Sequence, residues 1–155
     1  MNKRWSPNAT VAAVVPHGDR FLMVEERDRD TGATVFNQPA GHLEASETLC
    51  AAVEREVLEE TRWLVEATGY LGVARYPAPN GITYLRHSFL CQPLEEISGR
   101  SLDDGIIAAH WMTLPEIEQL GQKLRSPLIV PVIQRYLDGL AASLQLVIEP
   151  PLSEP

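Results

Sequence analysis

Three glutamates, Glu56, Glu59 and Glu60, lie close together in one short segment of the chain. At about 100° per residue, a helix through this segment places the three carboxylates within an arc of roughly 100°. Like charges at these spacings repel by a few tenths of a kcal/mol in water, and by more where water is excluded. We therefore expect a cationic partner. Mg²⁺ favours carboxylate and phosphate oxygens, so the segment is a candidate metal site.

A second cationic partner is available in the same segment. Arg55 comes four residues before Glu59, and its planar guanidinium is able to fork onto a carboxylate such as Glu47 or Glu59. The alternative is an acidic helix face that is simply solvated, as most runs of charge are. Spacing alone leaves both interpretations open.

The helix that carries these residues is predicted to start at Ser46 and to end near Thr61. Ser46 is a suitable N-cap, and Glu47 then falls in the first turn, where negative charge favours the helix dipole. Apolar residues recur every four positions and predict a stripe that faces the core: Leu49, Val53 and Val57. Because the glutamates lie beside this stripe, their carboxylates are expected at the edge of the buried face.

Strands are predicted on both sides of this helix. The β-rich runs 10–15 and 20–26 flank Pro-His-Gly-Asp and predict a hairpin, as do the runs 70–78 and 82–92 around Pro-Asn-Gly. The segment 35–43 predicts a strand that ends in a shaped loop, and 106–112 predicts a further strand.

Two more helices are predicted downstream, one over 113–121 with Thr113 as N-cap and one over 126–142 starting at Ser126. Pro131 lies close to that second start. The tail 148–155 is expected to fray. This order of elements predicts an α+β fold, with helices packed on a mixed β-sheet as an α/β/α sandwich. We expect one domain over 1–155, with an ordered core over about 8–141 and a tail over 142–155.

Composition narrows the functional classes. The chain has 155 residues, 45% of them hydrophobic, and a formal charge of −8. The acidic balance argues against duplex nucleic acid as a partner, because such binding depends on clustered Lys and Arg. No apolar run is long enough to cross a bilayer, and Cys50 and Cys91 stand in apolar contexts typical of core thiols. We therefore expect a cytoplasmic protein.

The segment 41–63 as a whole resembles the Nudix box. That motif reads Gly, five residues, Glu, seven residues, Arg-Glu-apolar-any-Glu-Glu-any-Gly-apolar. Eight residues of this chain fall in register with it: Gly41, Glu47, Arg55, Glu56, Val57, Glu59, Glu60 and Trp63. The single departure is Arg62, where the family has a glycine that closes the helix, often at positive φ.

This resemblance implies the Nudix fold, an α/β/α sandwich with a mixed sheet, and hydrolysis of diphosphate linkages with Mg²⁺ or Mn²⁺. By the same resemblance, Glu56, Glu59, Glu60 and the Gly41 carbonyl hold the metal, and Arg55 orients a box glutamate such as Glu47. Either Glu56 or Glu59 is then the general base.

A narrower resemblance covers nearly the whole chain. Three segments are similar to NudJ-type bacterial phosphatases: FNQPAGHLE, AP followed by YLRHSF, and LRSPL. Phe36 stands where those proteins have Trp. This resemblance implies nucleoside tri- and diphosphates, or hydroxymethylpyrimidine pyrophosphate, as small-molecule substrates, with release of inorganic phosphate.

Substrate recognition requires residues outside the box. Phe36 and Tyr76 are candidates to stack on a ring, and Gln38 with Asn37 to bind a ring edge. Arg86 or Arg125 is a candidate to meet the terminal phosphate, since a planar fork suits phosphate oxygens. For each residue, packing, loop capping or solvated surface charge is the alternative.

Two further places are candidates for the same site. Asp103 and Asp104 precede Gly105, where many family members have a glutamate, but Asp-Asp-Gly also suits a plain turn. His42 is next to Gly41. The competing functions are a nucleotide sensor of Nudix type without turnover and a purely structural acidic helix. A monomer or a homodimer is expected.

Overall fold

This computed structural model describes residues 3–152, which contain eight strands, three α-helices and two short 3-10 helices. The strands are β1 Asn8–Val14, β2 Pro16–His17, β3 Arg20–Arg27, β4 Thr34–Asn37, β5 Ala40–His42, β6 Trp63–Pro77, β7 Thr83–Glu96 and β8 Ile106–Thr113. The helices are α1 Leu49–Thr61, α2 Leu114–Gln119 and α3 Ile129–Leu137.

The strands form two sheets. The first has the order β5-β1-β7-β6, in which β1 runs parallel to β7, whereas β5 is antiparallel to β1 and β6 is antiparallel to β7. The second is built around β3, which pairs with β2, β4 and β8. The chain passes between the sheets at Pro39, whose carbonyl accepts a hydrogen bond from Ala13 N (2.9 Å).

Strand β1 is buried on both faces, and this places the sheets in the middle of the molecule. Val11 and Ala13 point into a core shared with α1, whereas Val14 points into a core shared with α2 and α3. Alternate residues of a strand face opposite sides, so two apolar faces require two covering layers. The α+β prediction of an α/β/α sandwich with a mixed sheet is therefore confirmed.

Helix α1 begins two residues later than predicted. Its N-cap is Thr48, whose hydroxyl accepts a hydrogen bond from Ala51 N (3.1 Å), so the assignment of Ser46 was wrong. Glu47 consequently precedes the helix, and its carboxylate accepts from Glu44 N (2.9 Å) instead of lying in the first turn. The apolar stripe is confirmed at Val53 and Val57, which are fully buried.

The end of α1 is unusual because Arg62 takes the place of a glycine. Arg62 has φ 67° and ψ 6°, and its N–H donates to Leu58 O (2.9 Å). Left-handed backbone costs a residue with a Cβ about 1–2 kcal/mol. Arg62 therefore adopts the backbone conformation that a glycine would adopt at this position. The helix ends at Thr61 as predicted, and the backbone strain at Arg62 remains.

Arg62→Gly is expected to raise the free energy of unfolding by about 0.5–1 kcal/mol, because relieved strain exceeds the added chain entropy of glycine. That gain corresponds to a melting temperature higher by roughly 2–3 °C. The buried Nε of Arg62 has no hydrogen-bond partner among the described residues, so the substitution removes no hydrogen bond made by that atom. Arg62→Ala is the matched control, since it keeps the strain and should not be stabilised. A less stable glycine variant would show that side-chain contacts outweigh the strain.

Helix α3 and the first hairpin also differ from prediction. The predicted start at Ser126 was wrong, and α3 begins at Ile129 and ends at Leu137. This start places Pro131 in the first turn, where a backbone N–H needs no intrahelical partner; a start at Ser126 would place it beyond that turn. The first hairpin is shorter than predicted: Pro16 and His17 pair with β3, whereas β1 pairs with β5 and β7.

The segment after α3 returns to the first sheet and to α1. Ala142 and Tyr70 exchange two backbone hydrogen bonds of 2.8 Å each. Both carboxylate oxygens of Glu149 accept from Leu49 N (3.1 Å each), so the expected fraying is wrong at this residue. Residues 153–155 of the predicted frayed tail lie outside the described residues. None of the helices within 3–152 is long and apolar enough to cross a membrane.

Candidate active site

Arg55 joins three of the predicted glutamates. Its Nε and Nη2 donate to the two oxygens of Glu47 at 2.9 and 2.7 Å, which is the forked geometry that guanidinium favours. Its Nη1 donates to Glu56 Oε1 (2.8 Å) and to Glu59 Oε2 (3.1 Å). These bonds lower the pKa of Glu47 and raise that of Arg55. One cation therefore orients three anions.

Glu60 lies on the other side of this group and is more deeply buried. Its side chain is 7% exposed, and its Oε1 accepts a hydrogen bond from Ala40 N at the start of β5 (2.8 Å). Burial raises the pKa of Glu60 well above its ordinary value, and the charge of Glu56 adds to the effect. A buried carboxylate without a cation is costly in free energy.

Each of the three carboxylates on α1 has one oxygen that accepts no hydrogen bond from the described residues. Among the hydrogen bonds of residues 3–152, Glu56 Oε2, Glu59 Oε1 and Glu60 Oε2 accept none. No three acidic, His or Cys side chains of residues 3–152 are already gathered into a metal-binding group. The donor set nevertheless fits a hard cation, because such cations prefer carboxylate oxygens and these three oxygens have no hydrogen bond to compete with one.

Gly41 gives the Glu56 carboxylate the space that it occupies. A Cβ at residue 41 would overlap the carboxylate of Glu56, which Arg55 already holds in place. Glycine is therefore required here for close approach, without any left-handed backbone. The approach also brings strand β5 beside the glutamates.

The titration of Glu56 predicts how the stability of the metal-free protein depends on pH. Burial raises the pKa of Glu56 to about 7, from an ordinary value of 4.5. The folded state then binds the proton more tightly than the unfolded state, so this contribution to stability is complete below pH 4.5 and is lost as pH rises through 7. Chemical denaturation in EDTA at pH 5 and pH 8 measures the loss. Glu56→Gln should lose less stability over the same interval, and an equal loss would contradict the assignment.

The carboxylates open into a cleft of about 580 Å³ between the two sheets. Glu56 and Glu60 line one end of it together with Gly41 and His42 of β5, whereas Glu59 is not among the lining residues. Four arginines also line the cleft, namely Arg27, Arg29, Arg86 and Arg125. A separate cavity of about 260 Å³ near Arg62 and Trp111 contains none of the predicted site residues. The charged residues of the larger cleft are suited to bind an anionic ligand together with cations.

Arg86 on β7 is the most buried of these arginines. It is 7% exposed, and its Nη2 donates to Gln38 Oε1 (3.1 Å) and to Asn37 Oδ1 (3.5 Å). Desolvation lowers the pKa of Arg86 to about 10. Its Nε has no hydrogen-bond partner among the described residues. A guanidinium held this way is able to bind an anion in the cleft.

The structure separates the other predicted substrate residues. Tyr76 lines the cleft, and so does Arg125, whose Nη1 donates to Glu26 Oε1 (2.7 Å). Phe36 and Gln38 are not cleft residues: the Phe36 ring lies 6.0 Å from the ring of His110, and Gln38 is 2% exposed. Strand alternation explains the placement of Phe36, because Asn37, the next residue of β4, faces the cleft.

The loop before β8 completes the acidic end of the cleft. Asp103 and Asp104 line it, and Asp103 N donates to Glu59 O (3.0 Å) at the end of α1. Gly105 has φ 85°, so the turn predicted from Asp-Asp-Gly is confirmed. Several cleft residues were missing from the predicted site, namely Thr10, Arg27, Arg29, Asn80 and Tyr84. For Tyr84 the signal was available, because it lies two residues from Arg86 on the same strand face.

Comparison with known families decides the assignment. A family model described as the NUDIX domain matches residues 6–131. The chain belongs to the Nudix family. It is 35% identical over 143 residues to phosphatase NudJ of Escherichia coli strain K12, an alignment that covers 92% of each protein. A NUDIX hydrolase from Nitrosomonas europaea has 39% identity and a TM-score of 0.90, over 94% of this chain and 98% of that one.

A more distant solved structure shows a likeness of fold alone. The MutT protein of Methanosarcina mazei Go1 has 21% identity and a TM-score of 0.67, and the match covers 89% of this chain and 99% of that protein. The predicted Nudix resemblance and fold are confirmed. This chain is a Nudix phosphohydrolase.

Proposed function

We propose that this Nudix enzyme hydrolyses phosphoanhydride bonds in nucleoside tri- and diphosphates, or in small pyrophosphates such as hydroxymethylpyrimidine pyrophosphate, and that it depends on Mg²⁺ or Mn²⁺. The substrate class follows the resemblance to NudJ-type phosphatases. The observation that carries the proposal is the group of glutamates on α1, where Glu56, Glu59 and Glu60 each keep an oxygen without a hydrogen bond and two of them, Glu56 and Glu60, line the cleft.

These glutamates and the Gly41 carbonyl are the proposed metal ligands. A bound divalent ion supplies an acidified water and neutralises charge on phosphate oxygens. Because Arg55 already bonds one oxygen of Glu56 and one of Glu59, it fixes the direction in which the free oxygens point. Glu47 in turn fixes Arg55 through two hydrogen bonds. Arg55 and Glu47 thus position the carboxylates.

One of these glutamates and the arginines of the cleft account for proton transfer and substrate binding. Glu56 or Glu59 accepts the proton of the attacking water. Arg86 binds an anionic oxygen of the phosphate chain, because its guanidinium lines the cleft and its hydrogen bonds within residues 3–152 go to the neutral side-chain amides of Asn37 and Gln38. Arg125 is the second candidate for this role, although it already contacts Glu26.

The test is a substrate panel in which the products are identified. Release of orthophosphate from nucleoside tri- and diphosphates and from hydroxymethylpyrimidine pyrophosphate is measured with Mg²⁺, with Mn²⁺ and with EDTA. Turnover that requires the divalent ion supports the proposal. Tight nucleotide binding without turnover would contradict it and favour the sensor interpretation. Equal turnover in EDTA would exclude the metal from the reaction.

A further inference from the structure

The face of β7 that lines the cleft presents its residues in a defined order. Tyr84, Arg86 and Ser88 alternate on one side of the strand, with about 7 Å between successive members. Ser88 pairs with Ala12, and Ala12 pairs with Ala40, whose N–H binds Glu60. The carboxylates therefore lie at the Ser88 end. Moving away from them along the strand, a ligand meets Arg86 first and Tyr84 next.

Tyr84 is held as a fixed aromatic surface. Its hydroxyl accepts a hydrogen bond from Asn80 Nδ2 (3.1 Å), and Asn80 Oδ1 accepts from Ile82 N (2.9 Å) within the turn between β6 and β7. The ring of His42 lies 6.2 Å from the Tyr84 ring at an angle of 59°. Tyr76 is the direct cross-strand partner of Tyr84, so both side chains lie on the same face.

This end of the cleft differs from the other in charge. The residues that line it on β6, on β7 and in their turn are uncharged: Tyr76, Ala78, Pro79, Asn80 and Tyr84. The carboxylates lie towards the Ser88 end of β7, and Arg86 lies between them and Tyr84. A surface of two aromatic rings and a proline suits the flat face of a heteroaromatic ring, and offers nothing to neutralise another phosphate.

We propose that Tyr84 and Tyr76 form the subsite for the heteroaromatic ring of the substrate, so that the phosphate chain runs along β7 past Arg86 towards the glutamates. This inference rests on the proposed function and adds the orientation of the substrate. It assigns Tyr84, rather than Phe36, as the residue that discriminates substrates with a ring from bare polyphosphates.

The test compares two ligands that resist hydrolysis, one with a ring and one without. Titration calorimetry with Mg²⁺ measures the dissociation constants of adenosine 5′-(β,γ-imido)triphosphate and of imidodiphosphate. Tyr84→Leu is expected to raise the dissociation constant of the nucleotide analogue by about tenfold, as the loss of a base–aromatic stack does. The dissociation constant of imidodiphosphate should be unchanged. Tyr84→Phe is the matched control, which keeps the ring and should bind both ligands like the parent.

The outcomes separate this inference from the proposed function. Equal weakening of both ligands in Tyr84→Leu, or weakening of neither, would overturn the ring subsite. Melting temperatures of the variants show whether the fold is retained, and Tyr76→Leu provides a second, independent substitution of the same subsite. Because binding requires no turnover, a parent that binds in this ring-dependent way but releases no phosphate would overturn only the proposed function.

Discussion

Replacing Glu60 by glutamine is expected to lower the turnover number for phosphate release by about 100- to 1000-fold, because loss of a metal ligand removes several kcal/mol of transition-state stabilisation. The substitution preserves shape, and the amide oxygen is still able to accept from Ala40 N. Glu59→Gln is expected to act in the same way. Steady-state rates of orthophosphate release at saturating Mg²⁺ measure the effect.

Stability distinguishes this result from simple unfolding. Glu60 is buried beside Glu56, and the neutral amide avoids desolvating a charge, so Glu60→Gln should raise the stability of the metal-free protein. Glu118→Gln on the exposed surface of α2 is the control for the change in net charge, and should match the parent. A Glu60→Gln enzyme as active as the parent would remove the metal-site interpretation.

Arg55→Lys is expected to weaken divalent-ion binding by about 10- to 100-fold, the usual effect of losing a residue that orients metal ligands. Lysine keeps the charge but has one ammonium group, and therefore cannot bond Glu47, Glu56 and Glu59 through three separate nitrogens. The released carboxylates then take many orientations. Calorimetric titration with Mn²⁺ measures the dissociation constant, and initial rates over a range of Mn²⁺ concentrations test the consequence.

The control for this substitution is Arg75→Lys, an exposed arginine on β6 outside the cleft. It changes the same chemical group and should leave both ion affinity and rate at parent values. If Arg55→Lys binds Mn²⁺ as tightly as the parent, the carboxylates hold their geometry without Arg55. The positioning role would then be wrong, even if activity falls for another reason.

The local part of the site was predictable because one helix carries it. Glu56, Glu59 and Glu60 are fixed relative to one another by the geometry of α1, so their spacing alone places the carboxylates together. The pairing of Arg55 with Glu47 follows from the same short segment. A capping error of two residues at Thr48 did not disturb this arrangement, since the helical phase of the glutamates is unchanged.

The remote part of the site was harder to predict because tertiary contacts decide it. Gln38 and Arg86 are 48 positions apart in the chain and are hydrogen-bonded in the structure. The sequence predicted that the amide of Gln38 binds a substrate ring, and no local pattern indicates that it instead bonds an arginine. Phe36 has an aromatic ring of the kind that stacks on a ligand, but strand alternation turns this side chain away from the cleft. The start of α3 was predictable in principle, because Pro131 tolerates only a position in the first turn.

The most direct test of this account is anomalous scattering from a crystal soaked with Mn²⁺ and a nucleotide that resists hydrolysis. The account predicts a peak within coordination distance of the Glu56, Glu59 and Glu60 carboxylates and the Gly41 carbonyl, with the nucleotide phosphates against it. A peak elsewhere, or none while Arg55 alone contacts these carboxylates, would contradict the claim that the glutamates are placed together to bind a divalent ion.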